Sequence, residues 1–268
     1  MAAVDLAVVL ESALPFGPSL PQYVQDVAGG LGTSELFRVV DVAGVVANGF
    51  LGGAVARRCG YDIVGFVVLG TASGLAGGAL RDVLIGATPV VMLTDPAYLT
   101  GAIVAATIAY VIDIRGRFAA RALTLIDLLA VGCWAATGAA KGLGAGLGWI
   151  PAVMLGTMTA VGGGMVRDVL VGRVPQIFGG NPLYASIAVL GSLEMTALTL
   201  LGQSQLGMAL SIVSCATLGA LARWRGWKLP GATDLAHPRL RSLRPRLRRR
   251  SAGSRAVGTP GEDESAGT

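Results

Sequence analysis

Cysteine, histidine, aromatic and charged residues are all scarce in this 268-residue chain, and each scarcity excludes something. Cys59, Cys133 and Cys215 are odd in number, widely spaced and without a C-x-x-C pair, so neither a disulfide framework nor a zinc site is implied. They are read as small packing residues. The single histidine, His237, falls in a polar stretch and is read as solvated. Charged residues make up 14% of the chain, against about 25% in soluble domains. There is no G-x-x-x-x-G-K-[ST], no G-x-G-x-x-G after a strand, no H-E-x-x-H and no G-x-S-x-G. Nothing therefore supports ATP hydrolysis, dinucleotide binding, metalloproteolysis or serine chemistry. A T-V-G-Y-G potassium filter is absent too. The chain is read as a non-enzyme without a cofactor or metal.

What is present is apolar and small: 53% hydrophobic residues and 40 glycines, with a mean hydropathy of +0.66. This is the composition of a polytopic membrane protein. The net charge of +5 suggests a basic binder, but much of the excess sits in one tail, and no nucleic-acid partner is expected. Crossing the hydrocarbon layer takes about 20 apolar residues. Seven stretches qualify: 36–56, 63–85, 98–114, 123–145, 150–171, 183–201 and 206–224. Residues 1–35 are read as an extracytoplasmic segment without a signal peptide, 36–225 as the membrane domain and 226–268 as a disordered basic tail.

Lys and Arg bias sets orientation. Arg57 and Arg58, then Arg115, Arg117 and Arg121, then Arg173, then Arg223, Arg225 and Lys228 follow alternate spans. The intervening loops offer Asp95, Lys141, Gln203 and Gln205, and the N-terminal segment carries Asp5, Glu11, Asp26 and Glu35. The N-terminus is therefore expected outside and the C-terminus in the cytoplasm of a prokaryotic plasma membrane. In the tail, Arg246, Arg248, Arg249 and Arg250 are candidates for attaching to anionic lipid headgroups, and the plainer reading is a tail that only reinforces topology.

The sequence also repeats itself. Adding 86 to a position in the first half reaches a counterpart in the second without a gap, and 19 of the 60 pairs from Asp41 to Thr100 are identical. Composition alone would match about one position in ten. Gly77-Gly78-Ala79-Leu80-Arg81-Asp82 with Pro89 meets Gly163-Gly164-Met165-Val166-Arg167-Asp168 with Pro175, and Asp41 and Tyr98 meet Asp127 and Tyr184. Each copy holds three spans (36–114 and 122–201), so the second must enter the membrane inverted, with the seventh span, 206–224, appended. The expected fold is an all-α membrane protein of seven transmembrane helices in two inverted three-helix repeats plus one.

Inverted repeats place functional sites at the interface of the halves, on helices interrupted by Gly or Pro. Spans two and five are the interrupted ones. Gly74, Gly77 and Gly78, with Gly162, Gly163 and Gly164, are expected as hinges, a role compatible with tight helix packing. Ser73, Thr71, Thr157 and Thr159 either coordinate a permeating ion or bond to their own backbone. Arg81, Asp82, Arg167 and Asp168 are costly inside a membrane unless they face a bundle interior or water. Because neighbours on a helix point about 100° apart, pairing is expected across the pseudo-twofold, Arg81 with Asp168 and Arg167 with Asp82. The plainer reading makes them surface anchors. Asp41 and Asp127 are read as helix-start charges favoured by the macrodipole, in preference to an ion path.

Two inverted three-span copies, each with Gly-Gly-x-x-Arg-Asp followed by Pro, and a seventh span resemble the trimeric intracellular cation channel family in its prokaryotic branch, also named for a glycine transporter domain. Ala76 departs from the triple glycine that Gly162 to Gly164 keep. The resemblance covers about Leu36 to Trp224. It implies a homotrimer with one water-filled pore per protomer, lined by spans two and five. Monovalent cations, K⁺ chiefly and also Na⁺, would pass passively. The glycines would be hinges, and Ser73, Arg81, Asp82, Thr159, Arg167 and Asp168 would line or gate the path. Two other readings stand beside it: a secondary transporter of a small solute such as glycine, and a lipid-binding membrane scaffold.

Overall fold

The structure is a computed structural model, and it describes residues 35–112, 116–178 and 183–227. Residues 1–34 and the tail, with Arg246, Arg248, Arg249 and Arg250, lie outside the described residues, as does Arg115. Among those described there are eight α-helices and one 3₁₀ turn, Gln176–Phe178. The helices are α1 Glu35–Cys59, α2 Ile63–Leu84, α3 Val91–Thr94, α4 Pro96–Val111, α5 Gly116–Gly144, α6 Trp149–Leu170, α7 Tyr184–Leu200 and α8 Ser204–Arg225.

Local chemistry fixes the ends. Asp62 caps α2 by accepting from the Gly65 amide at 2.8 Å, and Asp95 caps α4 by accepting from the Ala97 amide at 2.9 Å, with Pro96 at the first helical position. After α2 and α6 the chain turns on Gly86 and Gly172, each at φ 68°, a left-handed conformation that glycine adopts without strain. Arg57 in the last turn of α1 donates to the terminal carbonyls of α4, Ala109 and Tyr110, which have no partner within their own helix.

Five helices (α1, α2, α5, α6 and α8) are long and apolar enough to cross a membrane; α4 and α7 are apolar but shorter, at 16 and 17 residues. The fifth helix starts at Gly116, several residues before the position that the apolar run marks. Large apolar side chains are exposed along the outer faces, among them Val64, Val68, Val104, Leu125 and Val213, while the polar groups face inward. Water-soluble folds avoid that distribution, and lipid requires it.

The core is built from absent side chains. Within the first copy, a Cβ on Gly52 would stand 2.7 Å from the Leu69 carbonyl oxygen; within the second, its counterpart Gly138 would stand 2.7 Å from the Gly156 Cα. Helices thus approach backbone to backbone, as small residues in membrane bundles permit. The two copies meet where α2 crosses α6. Gly77 lies on the Thr159 carbonyl and Gly163 on the Ser73 carbonyl. Numbers rise along one helix as they fall along the other, so the crossing is antiparallel.

Candidate functional site: two buried charge clusters

The antiparallel crossing carries the two Arg-Asp pairs apart. Both sit in the last turn of their helices, and from the contact register Arg81 and Arg167 are roughly 15 Å apart along the axis at a rise of 1.5 Å per residue. The expected pairing across the pseudo-twofold is therefore wrong. Each arginine instead folds back on its own neighbour: Arg81 Nε donates to Asp82 Oδ1 at 2.9 Å and Arg167 Nε to Asp168 Oδ1 at 3.2 Å. The 100° between neighbouring Cα–Cβ bonds does not prevent this, because the long, jointed arginine side chain curls around the helix.

In the first cluster Arg81, 1% exposed, forks its terminal nitrogens onto both oxygens of Asp41, each at 3.1 Å. Asp41 also accepts from the Tyr98 hydroxyl at 2.9 Å and the Thr137 hydroxyl at 3.1 Å. Asp82 accepts from the Lys141 ammonium at 3.1 Å and from the Val91 amide at 3.2 Å. Two cations thus stand against two carboxylates, with every carboxylate oxygen occupied. Such pairing is what makes buried charge tolerable. Neither Arg81 nor Asp82 is a surface anchor. Asp41, at 1% exposure, is a ligand of the network rather than a helix-start charge. Arg38, one turn earlier, reaches Asp95 at 2.6 Å instead, and that bond holds the half-buried Asp95 carboxyl below the usual carboxylate range.

The second cluster repeats the plan with different closure. Tyr184 donates to Asp127 at 3.2 Å, as Tyr98 does to Asp41, and the Gln176 amide reaches Asp168 at 3.3 Å. Asp127, however, is met at 3.3 Å by Arg223 of α8, not by Arg167. It too is buried, not a helix-start charge.

The glycines do not break the helices. α2 runs unbroken through Gly74, Gly77 and Gly78, and α6 through Gly162, Gly163 and Gly164. A Cβ on Gly74 would stand 2.8 Å from the Val45 carbonyl, and one on Gly162 3.2 Å from the Gly77 Cα, so these glycines are the points of closest helix approach. Among the hydroxyls, Thr71, Thr157 and Thr159 bond back to carbonyls four residues earlier. Ser73 Oγ, fully buried beside the crossing, has no hydrogen-bond partner among the described residues. Lys141, Thr137, Tyr98, Tyr184 and Arg223 join the clusters although no motif flags them. For the tyrosines a signal existed, since they recur at the 86-residue offset. For Lys141 and Arg223 it did not, because each looked like a charge near a span end.

An all-helical membrane protein with polar groups gathered into buried, internally paired clusters is the class that this architecture defines. The glycine transporter family model matches residues 38–113 and 124–199, once in each copy. A membrane protein of Deinococcus radiodurans is 34% identical over 57% of this chain and 72% of its own length. An inner membrane protein of Escherichia coli is 29% identical over 58% of this chain and 74% of its own. Among solved structures, the trimeric intracellular cation channel orthologue from Rhodobacter sphaeroides superposes with a TM-score of 0.65 at 30% identity, covering 71% of this chain and 99% of that one. A second solved channel of that kind gives 0.66 at 30% identity, covering 73% and 96%. The chain belongs to this family, that of the trimeric intracellular cation channels.

Proposed function

We propose that the protein is a passive channel for monovalent cations, potassium chiefly, with seven spans in two inverted repeats, one path through each protomer and a homotrimeric assembly. The observation that carries the reading is the match to a solved cation channel over 99% of that channel's length. The geometry adds support. A cation path lined by arginine would repel K⁺ unless carboxylates neutralise it, and in the first cluster Arg81 and Lys141 are balanced by Asp41 and Asp82. The antiparallel crossing of α2 and α6 is the relation that an inverted repeat produces. Ser73 and Thr159, at equivalent positions on either side of the crossing, line the narrowest part of the proposed path, where Gly77 and Gly163 bring the two helices together and Gly78 and Gly164 are the hinges.

Orientation follows the basic ends. Arg58, Arg167 and Arg223 line a single cavity, so α1, α6 and α8 finish on one side of the molecule. That side is assigned to the cytoplasm of the plasma membrane.

The first cluster encloses a space of about 10 Å³. That is room for about one water. The deciding experiment is reconstitution in a planar bilayer under a KCl gradient. Discrete steps reversing near the K⁺ potential are expected. A silent bilayer together with saturable glycine uptake into vesicles would replace the channel with a secondary transporter.

A further inference from the structure

Among the described residues, Glu194 is the one carboxylate within a helix that meets no arginine or lysine. The buried ones, Asp41, Asp82, Asp127 and Asp168, each face one, and Glu35 at the start of α1 lies beside Arg38. Glu194 stands six residues, about 9 Å, inside the C-terminal end of α7. It is half-buried, and its contact is the Ser214 hydroxyl midway along α8. Leu193 beside it and Leu210 and Val213 on α8 are 38%, 44% and 58% exposed, so the pair lies at a seam whose outer face is apolar. An ionised carboxylate is costly in such a place. Another copy of the chain has no cation to spare for it: where α7 finishes, Arg38, Arg81 and Lys141 are already engaged by Asp95, Asp41 and Asp82.

The hydrogen bonds fit a neutral acid. Ser214 Oγ is within reach of Glu194 Oε2 and also of the Ser211 carbonyl oxygen, at 3.3 Å. A hydroxyl has one hydrogen and cannot donate to both. When the carboxyl carries a proton it donates to Ser214, Ser214 donates to Ser211, and both bonds are made. When it is ionised, Ser214 must turn to it, and its second oxygen still has no donor among the described residues. The charges of the helices packed on α7 are spent elsewhere: Asp127, Lys141, Arg167 and Asp168 of α5 and α6, with Arg223 of α8, belong to the two clusters. The titratable group that α8 turns toward Glu194 is the Cys215 thiol, which is no counter-charge.

We infer that Glu194 is a proton-binding site within the membrane domain, a neutral carboxylic acid donating to Ser214 and open to modification by a lipid-soluble carbodiimide. In that modification the acid O–H adds across one C=N bond. The proton goes to one nitrogen, the carboxyl oxygen bonds to the central carbon, and migration of the acyl group to the other nitrogen leaves a stable N-acylurea with nothing expelled. The site lies on α7, away from the α2–α6 crossing, and does not depend on the channel reading.

The test uses the full-length protein in phosphatidylcholine vesicles at neutral pH, treated with dicyclohexylcarbodiimide and mapped by peptide mass spectrometry. A parallel sample receives a charged, water-soluble carbodiimide with an amine. The lipid-soluble reagent is expected to mark Glu194, and the water-soluble one to mark Glu35, which is 88% exposed, and to leave Glu194 untouched. The infrared difference between wild type and Glu194→Gln should contain the carbonyl stretch of a protonated carboxyl, and Ser214→Ala, which removes the acceptor, should shift that band. Glutamine keeps the shape and the bond to Ser214, so the thermal midpoint of Glu194→Gln should match that of the wild type. Carboxylate bands alone in the difference spectrum, or a midpoint lost with the charge, would overturn the site. So would marking of Glu194 by the water-soluble reagent as fast as Glu35. Protection from dicyclohexylcarbodiimide by KCl or NaCl, but not by choline chloride, would also overturn it, by making a metal cation the ligand. Should Glu194→Gln fail to fold, the two labelling patterns of the wild type decide alone.

Discussion

A methyl group on Gly77 would land on the backbone carbonyl oxygen of Thr159, and one on Gly163, the equivalent residue of the second copy, on that of Ser73. The crossing of α2 and α6 is thus set by two missing side chains, related by the repeat. Gly78 and Gly164, the next residue in each copy, are different: the nearest atoms to a Cβ there are the Arg81 and Arg167 Nη2, at 3.7 and 3.5 Å.

That contrast separates packing from flexing. Gly77→Ala and Gly163→Ala should each lower stability by about 1 to 3 kcal/mol, the usual cost of overpacking against backbone that cannot yield. Gly78→Ala and Gly164→Ala should be neutral or up to about 1 kcal/mol stabilising, because alanine is the better helix former. Thermal midpoints of the four purified variants check this. If Gly78→Ala keeps its midpoint and loses channel opening, that glycine is a hinge as well as helix filler.

The Arg81–Asp41 pair makes a second, sharper prediction. Removing one partner of a buried ion pair strands the other, at about 3 to 5 kcal/mol. Arg81→Met and Asp41→Asn should therefore each be severely destabilising, while the double variant recovers part of the loss because neither charge remains unpaired. A double-mutant cycle on unfolding midpoints measures the coupling. Strict additivity would mean that the two side chains do not interact.

How much of this was legible in the sequence depends on whether a feature is written in the period or in the path of a long side chain. The 86-residue offset and the apolar runs are periodic, and they gave the membrane class and the placement of Arg81, Asp82, Arg167 and Asp168 on equivalent helices. Partners were not legible. The Arg81 to Asp82 bond depends on how a guanidinium curls, and the Arg81 to Asp41 bond on how α1 packs against α2, and neither follows from helical angles. Lys141 escaped for another reason: a lysine near the end of an apolar run looks like a loop charge until the helix is seen to place it over Asp82.

Asp95 makes the pH-dependent prediction. Bonded to Arg38, its carboxyl titrates below the ordinary carboxylate range. The cap on α4 is therefore fully present above the unfolded value of about 4 and is lost as pH falls through the lower folded value. Amide exchange at Ala97, measured relative to Asp95→Ala, which removes the cap, should be slowed at pH 6, and that difference should shrink in strong acid. A transition centred at the ordinary carboxylate value of about 4, and not below it, would show that Arg38 does not hold the carboxylate.

Lys141 makes the prediction that bears most on conduction. Its ammonium lies 3.1 Å from Asp82 Oδ1 and its side chain is 15% exposed, so it is the one cation of the first cluster that touches solvent while also neutralising a carboxylate. Lys141→Met leaves Asp82 paired with Arg81 and removes a positive charge from the proposed path. A unit charge about 6 Å from a permeating ion in water is worth roughly 0.7 kcal/mol. Inward K⁺ conductance should therefore rise about threefold at low salt and by less as salt screens the charge. Lys141→Arg keeps the charge and should behave as wild type. Single-channel currents at low and high KCl distinguish the cases. An unchanged conductance in Lys141→Met, with the protein intact by thermal midpoint, would place the first cluster outside the ion path.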